Sequence, residues 1–261
     1  MAILMAHQVA GYPDDETALI VADALIDGGA KILEVQLPFS DPSADGKIIQ
    51  NANAKVLARG YTTQNGLDFI GKVHKKHPDI EIFLMSYTSI FFRPGMQNFV
   101  ERAIKIGATG FIIGDLPFDC DEGLKTLCEK YNVNQIPVIA PSVTDERLSK
   151  VAHAGFKYIY SVLRAGITGQ ATTITDDMIQ YIERCSEGGS KILGGFGIQN
   201  GEQSKTLAPH VYAVVAGSVF VNIISKFVEE QENKPTNEFL NSKLLYERIY
   251  NKAKELSDGA R

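Results

Sequence analysis

A chain of 261 residues can build one large domain, and 44% hydrophobic with 22% charged content is ordinary for a soluble globular protein. The 26 basic and 31 acidic residues leave a net charge of -5 with no basic stripe, which argues against a nucleic-acid partner. No apolar run reaches the roughly 18 residues of a membrane span. The N-terminal MAILMAHQVAGYP lacks a signal peptide's basic n-region, and Cys120, Cys128 and Cys185 form neither a disulfide framework nor a metal pattern, so a reducing cytoplasm is expected.

In chain order, Ile3 to Ala10 reads as a first strand, stopped by Gly11-Tyr12-Pro13. Asp14 or Asp15 can cap a helix carrying Leu19, Ala22, Leu25 and Ile26 on one face, ended by Gly28-Gly29. Strand two starts at Lys31, and helices follow over Ile48 to Ala58 and from Thr62 to about Lys76. Ile80 to Ser86 is strand three, Tyr87 to Gly95 a loop, and Gln97 to Ile106 a helix. Gly110 to Ile113 is strand four, Glu122 to Tyr131 a helix, Gln135 to Ala140 strand five, and Thr144 caps a helix to Ala154. Lys157 to Val162 is strand six, Arg164 to Thr175 a Gly/Thr-rich loop, and Asp176 or Asp177 begins a helix to about Cys185. Lys191 to Gly194 is strand seven, Glu202 to Leu207 a short helix, Val211 to Val215 strand eight, and Phe220 to Gln231 the last barrel helix. An extra helix is expected over about 238–256, with a frayed end.

Eight apolar strands alternating with helices, at roughly 30 residues per unit, predict an α/β fold: a closed (β/α)8 TIM barrel. The whole chain, 1–261, is expected to be one domain, with the barrel over about 3–231. An open dinucleotide-binding sheet is disfavoured, because Gly11-Tyr12-Pro13 is not a G-x-G-x-x-G fingerprint.

The chemistry centres on Lys31 to Gln50, KILEVQLPFSDPSADGKIIQ. Alternation puts Ile32, Glu34 and Gln36 on one face of the strand. A carboxylate in a buried strand is costly unless paired, protonated or used. Asp45 follows on a loop, so the stretch offers one acid on a stiff strand and one on a movable loop, an arrangement suited to acid–base work. The structural alternatives are a Glu34 that pairs with a Lys or Arg across the core, an Asp41 that only starts a turn, and an Asp45 that only caps the next helix.

Loops after the strands form the working end of such a barrel. Three are glycine-rich: Gly166 to Gly169, Gly195 to Gly197, and Gly217-Ser218. Glycines let backbone N–H groups approach an anion, and Ser218 at a helix start adds a hydroxyl, so these loops predict a phosphate cradle. Tyr160 lies nearer the mouth than Tyr158, which reads as core, and Tyr87 at the end of strand three is a further mouth candidate. Of the histidines only His7 lies inside a strand, and no cluster has metal-ligand spacing, so no metal is expected. A Schiff-base aldolase would need a lysine at the mouth, whereas Lys31, Lys157 and Lys191 sit at strand starts.

The run Leu33-Glu34, Pro38-Phe39-Ser40-Asp41-Pro42, Ala44-Asp45-Gly46, with SVLRAGITG from Ser161 to Gly169, Gly195 to Ile198 and Ala216-Gly217-Ser218, resembles the signature of the tryptophan synthase alpha chain family. The resemblance implies retro-aldol cleavage of indole-3-glycerol phosphate to indole and glyceraldehyde 3-phosphate. It implies Glu34 as the acid–base residue and Asp45 as the partner of the indole N–H. Tyr160 would position Glu34, Thr168 would anchor the mobile loop, and Gly169, Gly197, Gly217 and Ser218 would hold the phosphate beside Phe196, while Tyr87 is a substrate-binding candidate from its place at the end of strand three and not from the resemblance. It further implies a beta-chain partner in an αββα assembly, with Phe39 and Asp41 at the interface, and pyridoxal phosphate in that partner rather than in this chain.

The chain departs from the family pattern in starting almost at strand one, without the usual N-terminal helix, and in Gln36, Lys47, Leu163 and the Tyr87 to Ile90 stretch. Gln36 shares the Glu34 face, and Lys47 places a cation beside Asp45. Gln36 and the missing first helix motivate an alternative: a weakly active alpha-type subunit that mainly activates a beta-type partner.

Overall fold

The computed structural model describes residues 1–163, 174–195, 197–232 and 242–261. The chain runs β1 (Ile3–Val9), α1 (Asp15–Asp27), β2 (Ala30–Gln36), α2 (Lys47–Ala58), α3 (Thr63–Lys76), β3 (Glu81–Ser86), α4 (Thr88–Phe92), α5 (Met96–Lys105) and β4 (Gly110–Ile113). It continues with α6 (Leu124–Tyr131), β5 (Asn134–Gln135), β6 (Val138–Ile139), α7 (Asp145–Ala152), β7 (Tyr158–Val162) and α8 (Asp176–Ser186). The last elements are β8 (Lys191–Gly195), α9 (Gly201–Leu207), a 3-10 turn (Ala208–His210), β9 (Ala213–Ala216), α10 (Ser218–Glu232) and α11 (Ser242–Ala260).

All strand pairs are parallel, in the order β5-β4-β3-β2-β1-β9-β8-β7-β6. The two ends of that order are consecutive pieces of one stretch. β5 pairs with β4 and β6 with β7. Between them the Ile136 N–H donates to the Phe111 carbonyl (3.0 Å), and the Tyr160 N–H donates to the Pro137 carbonyl (2.9 Å). The strand expected over Gln135 to Ala140 therefore closes the barrel. It is split at Pro137, which has no N–H to give the ladder.

The period-2 pattern sorts the side chains into two cores. Met5, Ile32, Phe83, Ile112, Leu193 and Val215 fill the barrel interior. The alternate residues, such as Leu4, Leu33, Val35 and Phe111, pack outward against the apolar stripes of the helices. The base of the barrel is aromatic: Tyr158 packs on Phe83 and Tyr212, with centroids 5.4 and 5.7 Å apart. Lys157 and Lys191 lay their ammonium groups over these rings at 4.9 and 4.1 Å. These strand-start lysines thus sit at the end away from the mouth, as the sequence implied, and the Tyr158 hydroxyl is satisfied by Glu81 Oε2.

Several expectations are corrected. The C-terminal end is not frayed: α11 runs to Ala260, which is fully buried, and the Ala2 N–H donates to the Ala260 carbonyl at 2.9 Å. The end of α11 therefore sits at the start of β1 and covers it; the expected start of that helix, near residue 238, lies outside the described residues. Asp45 is not the N-cap of α2: Gly46 occupies that position without a side-chain cap. The loop expected over Tyr87 to Gly95 contains α4, and β9 begins at Ala213 because the Pro209 turn delays it.

Candidate functional site

Strand register sets the first half of the site. On the adjacent parallel strands β1 and β2, His7 is level with Glu34 and Val9 with Gln36. Both His7 and Glu34 point into the barrel. His7 Nδ1 lies 3.5 Å from Glu34 Oε1, and each side chain is 5% exposed. The other Glu34 oxygen, Oε2, and His7 Nε2 are buried without a protein partner. Burial works against an imidazolium here, but the Glu34 carboxylate, with Asp45 and Gln36, outweighs it and holds His7 above the ordinary histidine value.

The second half comes from the β2–α2 loop, Leu37 to Gly46. Phe39 anchors it: its N–H donates to Asn53 Oδ1 on α2 (2.9 Å), and its ring stacks on Tyr87 with centroids 4.9 Å apart. Asn53 is fully buried and fixes itself by donating to the Ile49 carbonyl. The loop then brings Asp45 back over the barrel. Gln36 Nε2 (2.7 Å) and the Tyr87 hydroxyl (2.8 Å) both donate to Asp45 Oδ2. Burial raises the Asp45 carboxyl above the ordinary aspartate value, against the opposing pull of His7, Tyr87 and Gln36. Tyr87 itself is pushed up by burial and by Asp45, so it stays protonated and donating.

These groups face one cavity at the C-terminal ends of the strands. Its lining is His7, Glu34, Asp45, Tyr160, Gly197, Gly217 and Ser218, with an apolar wall of Ile49, Met85, Ile112, Val138, Val162 and Val215. Tyr160 is pushed up by burial and by both carboxylates. Gly197 has φ +84, a left-handed conformation that glycine adopts without strain. Gly217 packs close for a different reason: a Cβ there would lie 3.0 Å from His7 Cβ and 3.2 Å from its Cγ, so any larger residue would press on the histidine. Ser218 opens α10, is buried and lines the cavity, so the N-terminal end of that helix lies against it. No Lys or Arg among the described residues lines it.

The expected site residues divide accordingly. Glu34, Asp45, Tyr160, Gly197, Gly217 and Ser218 meet in one cavity, and Tyr87 stands behind Asp45. Thr168, Gly169 and Phe196 lie outside the described residues. Phe39 is half-buried against Tyr87, while Asp41 is exposed at the rim and accepts from the Ser40 hydroxyl. Gln36 does not crowd the cavity but clamps Asp45, and Lys47 is exposed, without an ion pair to Asp45. His7 and Asn53 had no expected role. Alternation in β1 was the available signal for His7, but its partner depends on register across strands.

A sequence profile described as "Tryptophan synthase alpha chain" matches residues 2–249. The chain belongs to the tryptophan synthase alpha chain family. It is similar to that protein of Helicobacter hepaticus, 36% identical over 239 residues and 89% of each chain. It is also similar to that of Methanosarcina barkeri, 36% identical over 259 residues, 98% of this chain and 90% of the relative. A solved structure from Aquifex aeolicus VF5 superposes with a TM-score of 0.83 at 29% identity, covering 100% of this chain and 93% of that one. A chain of Mycobacterium tuberculosis tryptophan synthase shares the barrel with a TM-score of 0.86 at 24% identity, covering 100% and 93%. Among the described residues no three His, Cys, Asp or Glu side chains group as metal ligands, and no helix is long and apolar enough to cross a membrane.

Proposed function

We infer that this chain is the lyase subunit that cleaves indole-3-glycerol phosphate to indole and glyceraldehyde 3-phosphate, as the alpha subunit of tryptophan synthase. The observation that carries the reading is the pairing of two buried carboxylates of different support. Glu34 stands on a rigid strand with one oxygen free, and Asp45 is held on a loop by two donors, both against one apolar cavity. The retro-aldol step needs a proton at indole C3 and removal of a proton from the neighbouring glycerol hydroxyl. Glu34 does both in this reading, and Asp45 accepts the indole N–H and stabilises the cation formed when C3 is protonated.

The apolar wall suits an indole ring, and the first turn of α10 with Gly197, Gly217 and Ser218 suits the phosphate without a cationic side chain. Tyr160 would position Glu34. Thr168, Gly169 and Phe196 would complete the closure and the cradle, excluding water and retaining indole. The beta-chain partner would take the indole onward, with pyridoxal phosphate in its own site, in an αββα tetramer. The loop bearing Phe39 and Asp41 would contact that partner, and the cytoplasm is the compartment the composition fits.

The test is indole release from indole-3-glycerol phosphate by the purified chain, alone and with a beta chain. Release that rises when the partner is added is expected. No indole from the folded protein under either condition would overturn the reading.

A further inference from the structure

Every other polar group brought to the cavity has a part in this scheme, and His7 does not. It is the immediate neighbour of the acid that must work in both directions. A single carboxyl that gives a proton to carbon and takes one from oxygen must be protonated for the first act and ionised for the second. Giving the first proton leaves it ionised for the second act, so its one need is to begin with a proton, and a second proton carrier beside it can supply that proton.

We propose that His7 is the positioning residue of Glu34, its Nδ1 set against one carboxylate oxygen so that the two side chains hold one proton between them for the cleavage. The inference rests on the lyase reading for its use in turnover and on geometry for the pair itself. His7 and Glu34 are level on adjacent strands, 3.5 Å apart, with Glu34 Oε2 left unpartnered. The separation is an ion-pair contact longer than a formed hydrogen bond, and catalytic contacts of this kind tighten when substrate closes a site. Gly217 packs closely on the other side of His7, where a Cβ would lie 3.0 Å from His7 Cβ and crowd the side chain.

The surroundings limit what else could act on the pair. Glu34 faces His7 from β2, and Asp45 from the β2–α2 loop. β9 and the start of α10 present Gly217 and Ser218, which carry no charge, and Tyr160 faces the carboxylates from β7. The proton balance closes. The pair's proton goes to indole C3. The glycerol hydroxyl proton then returns to the pair as its O–H electrons form the carbonyl. The broken C–C bond leaves its electrons in the indole ring. The pair ends with the one proton it began with, and substrate has become indole and aldehyde.

Two readouts test this on the full chain. The first is histidine 15N NMR titration of wild type and Glu34→Gln. His7 should titrate above an ordinary histidine in wild type and fall below it in the variant, where burial prevails; an unchanged titration would overturn the pair. The second is the pH profile of kcat/KM for indole release by wild type, His7→Asn and His7→Phe, with folding checked by thermal melting. His7→Asn keeps a donor toward Glu34 but cannot carry the proton. Both variants should lose at least about tenfold in kcat at neutral pH, with KM within about threefold. The alkaline limb should move to lower pH in both. Profiles that superpose on wild type, or losses confined to KM, would overturn the role in turnover. No indole from the folded wild type would instead sink the lyase reading, and the NMR titration would still decide the pair.

Discussion

Tyr87→Phe isolates the support of Asp45. The substitution removes one hydroxyl and keeps the ring that stacks on Phe39. The lost group donates to Asp45 Oδ2 at 2.8 Å and accepts from the Ala44 N–H at 3.2 Å. A hydrogen bond to a buried ionised group is worth roughly 1.5–3 kcal/mol, about tenfold to hundredfold in an equilibrium constant. The Asp45 bond should dominate, because the Ala44 amide lies in an exposed part of the loop where water can replace the hydroxyl. Urea unfolding at neutral pH should therefore show a loss in that range. The pH dependence carries a sign. Removing a donor to the ionised form pushes Asp45 further above the ordinary aspartate value, so the penalty is full at neutral pH and shrinks as the carboxyl protonates. In an Asp45→Asn background the acceptor is neutral, and the cost should drop to about 1 kcal/mol. A loss below about 0.5 kcal/mol, or an equal loss in both backgrounds, would refute the reasoning.

Asp45→Asn should itself raise the melting temperature at neutral pH while abolishing indole release, a trade of function for stability. The native carboxyl is raised by burial, so the protonated form is the more stable one. Asparagine gains where Asp45 is ionised, above its folded value, and the gain should vanish below the ordinary aspartate value of about 3.9; a melting gain unchanged in acid would contradict the assignment. Ser218→Asp places a like charge where the phosphate is proposed to sit. It should raise KM for indole-3-glycerol phosphate at least about tenfold with kcat little changed, and unaltered KM would move the phosphate elsewhere.

Much of the barrel was legible because its signals are local. Period-2 apolar runs marked the strands, and Thr62 and Thr144 cap helices by short-range hydrogen bonds that a sequence displays. The misplacements were long-range or context-dependent. The end of α11 docks on Ala2, more than two hundred residues away, whereas its place at the end of the chain suggests a frayed terminus. Pro137 splits the closing strand because a neighbour's ladder needs an N–H that proline lacks. At the site, Glu34 and Asp45 stood out as acids where acids are costly. Gln36 was visible as an intruder on the Glu34 face, but its destination was not, since it depends on how the loop folds back. His7 was passed over because a lone histidine in a strand is unremarkable until register sets it against Glu34.

The central claim is that Glu34 performs the chemistry and does little of the binding. Single-turnover cleavage and calorimetric substrate binding, measured side by side for wild type and Glu34→Gln, test it most directly. Glutamine keeps the shape and neither gives nor takes the proton, so cleavage should fall at least about a thousandfold while the substrate Kd stays within about threefold. Cleavage that persists in Glu34→Gln, or that falls only in step with binding, would contradict the account.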